Sequence, residues 1–213
     1  MALAPGGRGG DDQGVTDLPS AIVDTHVSTV VFLGDRAFKR KRPVRNAFLD
    51  FRTVEARAEA CRREVELNRR LAPDVYEGVA QLVLDDRVLD HLVVMRRLPE
   101  ELRLASLLDD AAGGRHLRQL APVIAAFHDS ADRGPDIDAA ARRDAMAGLW
   151  AEGVEQLGDV GRGVIDDEDI ELSERLAQEY LAGRRPLFDQ RIADRRACDG
   201  HGDLQAEDVF CLP

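Results

Sequence analysis

The 213-residue sequence predicts an α+β fold in which a small antiparallel sheet is followed by a helical region. Two observations indicate this order. Runs of β-branched and aromatic residues, separated by short turns, are confined to the first half of the chain, whereas good helix formers dominate the second half. The hydrophobic fraction of 44% is enough to bury a core. Four strands followed by four or five helices therefore predict a protein of two lobes.

The predicted sheet consists of two hairpins. Residues 1–18 are rich in glycine and acidic residues without periodicity, which predicts a flexible leader ahead of the sheet. Two strand-like runs, HVSTVVFL (26–33) and RAFKRKR (36–42), then meet at a Gly-Asp pair, which is a hairpin signal. Residues 79–84 and 89–95 form a second pair of strands around a turn at 85–87.

A helix is predicted for residues 54–71, which are good helix formers with Pro73 just beyond their end. Helical spacing places Glu64 on the apolar face of this helix. A carboxylate there must find a cation or lose its charge. Its partner is either a cation elsewhere in the fold or a local arginine, Arg57 or Arg63.

The second half of the chain is predicted to be helical. The candidate helices are residues 102–110, 115–131, 138–158, 169–181 and 186–194. Within them, His128 is interpreted as a packing or hydrogen-bonding residue of the second lobe rather than a ligand.

Charge and cysteine content exclude several classes of protein. The net charge of −11 argues against a general nucleic-acid binder. Residues 36–70 are the exception, with twelve Lys and Arg against five Asp and Glu, so an anionic macromolecular partner remains an alternative for this segment. The three cysteines form no metal-binding or disulfide pattern, and no stretch is apolar enough for a signal peptide or a membrane helix. These features predict a cytoplasmic protein with no membrane contact.

The sequence HGDLQAED, residues 201–208, carries the clearest chemical signal. A turn presents Asp203, and a second carboxylate, Asp208, follows five residues later. Phosphoryl transfer needs one carboxylate to accept the proton of an attacking hydroxyl and an oxygen ligand for Mg²⁺ nearby. The pattern is therefore typical of a phosphotransferase catalytic loop, with His201 bracing the loop backbone.

Three stretches together resemble a known family. They are AFKRKRPVRNAFLDF (37–51), REVELNRRLAPDVY (63–76) and HGDLQAED (201–208). In this order they resemble the aminoglycoside phosphotransferase-like branch of the protein-kinase-like fold, and in particular bacterial kinase-like proteins that are often fused to a P-loop ATPase domain. The resemblance spans residues 22–212, which is nearly the whole chain.

The resemblance implies a two-lobed fold, with a sheet-containing N-lobe at 19–97 and a helical C-lobe at 98–213. It implies ATP and Mg²⁺ as cofactors and a small-molecule hydroxyl as phosphate acceptor. Lys39 would hold the ATP phosphates and pair with Glu64, and Met95 would line the adenine pocket. Asp203 would be the catalytic base and Asp208 the Mg²⁺ ligand.

Several alternatives accompany this interpretation. The chain ends ten residues after Asp203, before the family's second metal-binding aspartate, so the C-lobe is expected to be incomplete and activity impaired. The alternative function is a non-catalytic nucleotide-binding or scaffolding fragment of a longer kinase-like protein.

Lys41 shares the face of Lys39 and competes for its role, and the basic run 39–42 also fits a solvated edge strand. His26 and Ser28, in the segment 25–28, lie where a phosphate-covering loop would be.

Overall fold

The computed structural model describes residues 21–46, 49–108, 113–160 and 164–212. The predicted leader at 1–18 lies outside this part of the chain. The described residues fall into two compact units. The sheet unit runs to Gly113 and includes the residues from Ala206 onward, and the helical unit is Gly114–Gln205. The sheet unit thus extends beyond residue 97, the predicted end of the N-lobe, and takes in Asp208.

The sheet unit contains five antiparallel strands in the order β1-β2-β3-β5-β4. They are β1 (Ala21–Asp24), β2 (Ser28–Leu33), β3 (Arg36–Lys41), β4 (Tyr76–Leu84) and β5 (Arg87–Arg96). The four predicted strands correspond to β2–β5. The sequence did not predict β1 as a strand of its own. This short edge strand is exposed at every residue, so it lacks the alternation of buried and exposed side chains that marks a strand.

Tight turns close both predicted hairpins. Gly34 connects β2 to β3 with a φ of +58°, a conformation that glycine adopts without strain. The β4–β5 turn uses Asp85 and Asp86, with φ values of 47° and 59°. Arg87, predicted as part of this turn, instead begins β5.

Helix α1 (Val54–Asn68) packs on the sheet, and the core of the sheet unit lies between them. It begins at Thr53, whose hydroxyl accepts a hydrogen bond from the backbone N–H of Ala56. The core is formed by Cys61 and Val65 of α1 against Val93 of β5. Helix α1 ends three residues before its predicted end at residue 71.

The chain leaves β5 through a 3-10 turn at Glu100–Leu102 and helix α2 (Leu104–Leu107), which is shorter than the predicted helix 102–110. The last described segment returns to this point. The backbone N–H of Leu104 donates to the Val209 carbonyl, and that of Cys211 donates to the Leu102 carbonyl, over 2.8 Å and 2.7 Å. These bonds attach the 3-10 turn Ala206–Asp208, which contains Asp208, to the sheet unit.

Five further helices follow: α3 (Gly113–Ser130), α4 (Pro135–Ala140), α5 (Arg143–Val160), α6 (Asp167–Leu181) and α7 (Arg185–Ala193). The predicted helix 138–158 is wrong as a single element, because the structure divides it into α4 and α5. Asp144, in the first turn of α5, binds Arg185 of α7 at 2.6 Å, a tertiary contact that spacing along the sequence does not reveal. Among the described helices, none has the length and apolar character needed to cross a membrane.

Candidate functional site

Two lysines of β3 bind one carboxylate of α1. Strand alternation places Lys39 and Lys41 on the same face of β3. Lys39 Nζ lies 2.9 Å from Glu64 Oε1, and Lys41 Nζ binds Glu64 Oε2. The predicted pairing of Lys39 with Glu64 is thus confirmed as a contact, and the two lysines share the carboxylate instead of competing for it.

The local partners considered for Glu64 are engaged elsewhere. Arg57 binds Asp90, and Arg63 binds Glu66. The prediction of an edge strand for the basic run is also wrong, because β3 lies inside the sheet between β2 and β5. The two lysines therefore belong to a tertiary cluster, and their position on an interior strand holds them in place.

The cluster is buried unequally. The side chains of Glu64 and Lys41 are each 11% exposed, whereas that of Lys39 is 30% exposed. Burial alone would raise the pKa of Glu64, but the two ammonium groups outweigh it and hold this pKa below its usual value. Glu64 is therefore ionised at neutral pH.

The composition of the chain singles out these lysines. Of its 29 basic residues only Lys39 and Lys41 are lysines, and the remaining 27 are arginines. An ammonium is a compact point charge, whereas a guanidinium is a planar fork, so the two are not interchangeable at a shared carboxylate. This count distinguishes both lysines in the sequence, but it does not reveal that they share Glu64.

A buried hydroxyl lies on the same face of the sheet. Ser28 is directly opposite Lys41 in the β2–β3 register and is 1% exposed. Its Oγ finds no hydrogen-bond partner within the described part of the chain. Its backbone N–H and carbonyl are bound by the Thr25 hydroxyl, which closes the turn between β1 and β2. The predicted phosphate-covering segment is thus a tight turn next to the lysine cluster.

Met95 lies on β5, two residues from Val93 and on the same face. It packs against the core cluster of Cys61, Val65 and Val93. Beyond it, the Arg97 N–H donates to the Asp35 carbonyl, over 2.8 Å. The structure therefore places Met95 at the end of the core where β5 leaves the sheet, and its role toward adenine stays a prediction.

Asp208 and Glu64 both act electrostatically on the hydroxyl group of Tyr76. Burial, together with the nearby charges of Glu64 and Asp208, raises the pKa of Tyr76 to about 12. Asp208 also helps to raise the pKa of Arg103, after the larger effect of the Glu100 carboxylate. The sheet unit contains four of the five predicted site residues: Lys39, Glu64, Met95 and Asp208. In the described ranges, no three His, Cys, Asp or Glu side chains are grouped so as to hold a metal ion.

Asp203 belongs to the helical unit. Its backbone N–H donates to His201 Nδ1 over 3.4 Å, and Gln205 Nε2 donates to its Oδ1 over 3.0 Å. Gly202, between them, has a φ of +84°. The predicted bracing of the loop by His201 is confirmed, and the Asp203 carboxylate is exposed. His128 lies near Gly200 and the ring of Phe127, but it is exposed and not packed inside the lobe as predicted.

Sequence reasoning missed one buried ionic cluster. Asp90 is 1% exposed and accepts hydrogen bonds from Arg57 Nε and Arg40 Nε, each over 2.7 Å. Because Arg57 is on α1 and Asp90 is on β5, this cluster fixes the helix to the sheet. The signal was a single acid in LDHLVVM, a strand segment in which every other residue except His91 is apolar.

The basic segment 36–70 is largely neutralised within the chain. Six of its arginines form ion pairs with carboxylates: Arg36–Glu77, Arg40–Asp90, Arg52–Asp50, Arg57–Asp90, Arg62–Glu59 and Arg63–Glu66. The segment therefore presents less free positive charge than its composition indicates. This finding weakens the alternative of an anionic macromolecular partner.

Comparisons with known proteins relate the chain to longer mycobacterial proteins. No family model matches it. Uncharacterized proteins of Mycobacterium tuberculosis and Mycobacterium bovis are 41% identical to it over 207 residues, which is 95% of this chain and 41% of each relative. The chain thus spans about two fifths of the length of the curated relatives it matches.

Proposed function

We propose that the protein is an ATP-dependent phosphotransferase of the protein-kinase-like, two-lobed type, acting on the hydroxyl group of a small molecule. The observation that carries this proposal is the Lys39–Glu64 ion pair between an interior strand and the helix packed on it. This pair, the HGD loop and the order of the three motifs along the chain are the features shared with the kinase-like family. They support a nucleotide site on the Lys39 face of the sheet.

The charge of the cluster supports an anionic ligand. Two ammonium groups face one ionised carboxylate in a partly buried place. A phosphate there would accept a charge-assisted hydrogen bond from Lys39. The partial exposure of Lys39 gives a phosphate access to that cation.

The proposed reaction follows from the predicted roles. The acceptor hydroxyl oxygen forms a bond to the γ-phosphorus of ATP, the bond from that phosphorus to the β–γ bridging oxygen breaks, and ADP leaves. Asp203 takes the hydroxyl proton, and Lys39 balances charge on the phosphates. Asp208 would hold Mg²⁺ together with phosphate oxygens, since this metal is often bound by one or two carboxylates plus the substrate phosphates. Magnesium would supply further charge neutralisation at the phosphates.

A second candidate function is nucleotide binding without chemistry. It requires only the partly exposed Lys39 on its face of the sheet, and neither a catalytic base nor a metal ligand. A module of this kind would bind ATP through Lys39 and would transfer no phosphate. The two candidates therefore agree on binding and differ on transfer.

Thermal unfolding with and without Mg²⁺-ATP tests the nucleotide site. Ligand at about 100 times its dissociation constant adds about 2.7 kcal/mol of stability, which raises Tm by a few degrees for a chain of this size. We expect this shift in the native protein and in Arg62→Gln, an exposed-pair control, but not in Lys39→Met. A cooperative melt that ATP leaves unchanged would contradict both candidates.

A phosphate-transfer assay distinguishes the phosphotransferase from the non-catalytic nucleotide-binding module. Asp203→Asn is expected to keep the ATP-induced shift and to lose transfer to a panel of hydroxyl compounds. Transfer by the native protein that persists unchanged in Asp203→Asn would refute the assigned base. If the native protein binds ATP but transfers phosphate to none of the acceptors, the non-catalytic module is favoured.

A further inference from the structure

We infer that Arg103 is a positioning residue of the proposed site: it clamps the 3-10 turn 206–208, and with it Asp208, to the point where the chain leaves the sheet. The inference rests on the proposed function, which makes Asp208 a Mg²⁺ ligand. Arg103 itself touches neither the nucleotide nor the metal. It acts by holding the backbone that presents the Asp208 carboxylate.

Each nitrogen of the Arg103 guanidinium donates a hydrogen bond. Nε and Nη2 donate to the two carboxylate oxygens of Glu100, the second over 2.6 Å, and Nη1 donates to the Glu207 carbonyl. The guanidinium carbon also lies 4.7 Å from the centre of the Phe210 ring, within range of a cation–π interaction. Because Glu100 is three residues before Arg103 and Glu207 is 104 residues after it, this side chain joins two distant parts of the chain.

Glu100 orients this guanidinium. Two parallel hydrogen bonds from an arginine to one carboxylate fix the plane of the group, and here they leave the third nitrogen directed at the Glu207 carbonyl. Glu100 is 71% exposed, so the ion pair by itself adds little to stability. Its contribution is direction, which a planar fork can use and the point charge of a lysine cannot.

The backbone attachment beside Arg103 is short. Arg103 and Phe210 form an isolated antiparallel bridge. Two backbone hydrogen bonds flank it: Leu104 N–H to the Val209 carbonyl and Cys211 N–H to the Leu102 carbonyl. One bridged pair is far shorter than an ordinary strand, so the side chain of Arg103 supplies attachment that the backbone alone does not.

The clamp fixes the backbone and leaves the carboxylate accessible. Val209 and Phe210 are partly buried, whereas Asp208 is exposed. An exposed carboxylate on a fixed turn fits Mg²⁺, which takes oxygen ligands and demands near-ideal geometry. A turn that opened often would spread this carboxylate over many positions and weaken the binding of the metal. Arg103 therefore matters most when Asp208 binds a cation.

Hydrogen exchange of backbone amides tests the clamp without a nucleotide. In Arg103→Gln we expect several-fold faster exchange at Leu104 and Cys211, with no change at Val93 in the core of the sheet unit. Arg103→Lys keeps the charge without the fork and should give intermediate rates. The matched control is Arg62→Gln, because Arg62 also pairs with a glutamate three residues earlier, at the surface. Native rates at both amides in Arg103→Gln would refute the clamp.

The Mg²⁺ dependence of the ATP-induced shift in Tm tests the positioning of Asp208. We expect the native protein to gain more from Mg²⁺-ATP than from ATP in EDTA, and Asp208→Asn to lose this difference. Arg103→Gln should lose at least half of the difference and keep the shift caused by ATP alone, a pattern that lower stability would not produce. Since Arg103 acts through Asp208, the double variant should lose no more than Asp208→Asn. A difference retained in full by Arg103→Gln, or a further loss in the double variant, would overturn the inference.

Failure of this inference can be told from failure of the proposed function. Absence of any ATP-induced shift in the native protein would end the proposed function and the positioning role with it, while hydrogen exchange would still report whether Arg103 holds the turn. An ATP-induced shift that Mg²⁺ does not increase would leave the nucleotide site at Lys39 intact. It would refute Asp208 as a metal ligand and therefore the role of Arg103.

Discussion

Asp90 is the residue on which the attachment of α1 to the sheet most depends. It is buried and serves two arginines, of which Arg57 is itself 5% exposed. Removing one partner from a buried ion pair leaves the other charge uncompensated, which costs about 3–5 kcal/mol. We therefore expect Asp90→Asn to lower the free energy of unfolding by about 3 kcal/mol in urea denaturation.

The matched control is Asp50→Asn. Asp50 binds Arg52 at the surface, where both side chains are about half exposed, so its loss should have little effect on stability. Equal losses in the two variants would show that burial of the Asp90 cluster does not set its strength.

Cys61 is expected to be unreactive in the folded protein. It is fully buried, and burial raises the pKa of its thiol, which reduces the reactive thiolate. Cys198 and Cys211 are only partly buried. A thiol reagent such as DTNB should therefore modify these two in the native state and Cys61 only after unfolding, as mass spectrometry of the labelled peptides can show. Prompt modification of Cys61 in native buffer would contradict the packing of α1 on β5.

The residues of the candidate site were predictable to different degrees. Glu64 could be found because an acid on the apolar face of a helix requires an explanation, whatever the fold. The sharing of Glu64 by two lysines could not be found, since it depends on how far α1 lies from β3. Asp90 was overlooked for a similar reason: its partners are 33 and 50 residues away in sequence, and only the fold brings them together.

At the scale of elements, Thr53 fixes the start of α1. Its hydroxyl accepts a hydrogen bond from the Ala56 N–H over 3.1 Å, satisfying one of the free donors at the helix start. Thr53→Ala should lower the free energy of unfolding by about 1 kcal/mol, whereas Thr53→Ser should stay near the native value. Urea denaturation of both variants is the measurement. If Thr53→Ser lowered the free energy of unfolding as much as Thr53→Ala, loss of the hydroxyl cap would not be the cause of the destabilisation.

The β4–β5 turn offers a stabilising substitution. Asp85 and Asp86 both have positive φ, the conformation of a type I′ turn, which favours glycine at its second position. Asp86→Gly should therefore raise the free energy of unfolding by about 0.5–1 kcal/mol. Gly34→Ala in the other hairpin is the opposite case and should destabilise, since it forces a side chain into a positive φ. Thermal melts that move in the same direction for both variants would contradict this reasoning.

Elements with strong local signals were predicted well, and those set by tertiary contacts were not. The two hairpins had turn residues between β-branched runs, and α1 had a long run of helix formers and a following proline. By contrast, β1 has no alternation because both its faces are exposed. The break between α4 and α5 has no glycine or proline at residues 141–142, so the sequence carried no sign of it.

At the scale of the whole molecule, the candidate site and the buried charges coincide in the sheet unit. Glu64 and Asp90 are carboxylates in or beside the interface between α1 and the sheet, and each is held by two basic side chains. The helical unit instead has exposed ion pairs such as Arg185–Asp144. Stability of the sheet unit should therefore depend on pH more strongly than surface charges alone would require.

The direction of this pH dependence follows from the two pKa shifts. Burial raises the pKa of each carboxyl, but the lysines at Glu64, and at Asp90 the hydrogen bonds from Arg57, Arg40 and the His91 N–H, lower both values below those of the unfolded chain. The unfolded state then binds more protons than the native state in acid. The stabilisation is fully present above the unfolded pKa values of about 4, and it is lost as pH falls through the lower folded values.

We therefore expect the urea midpoint of unfolding, followed by circular dichroism, to be constant from about pH 7 to about pH 6 and to fall progressively below about pH 4.5. Asp90→Asn and Glu64→Gln should each lower the plateau and flatten the acid part of the curve, because each removes one titrating group. Asp50→Asn, at an exposed pair, serves as the control for the plateau. Stability that rises on acidification, or an acid slope unchanged in both buried-site variants, would show that the two carboxylates do not bind their partners as the structure places them.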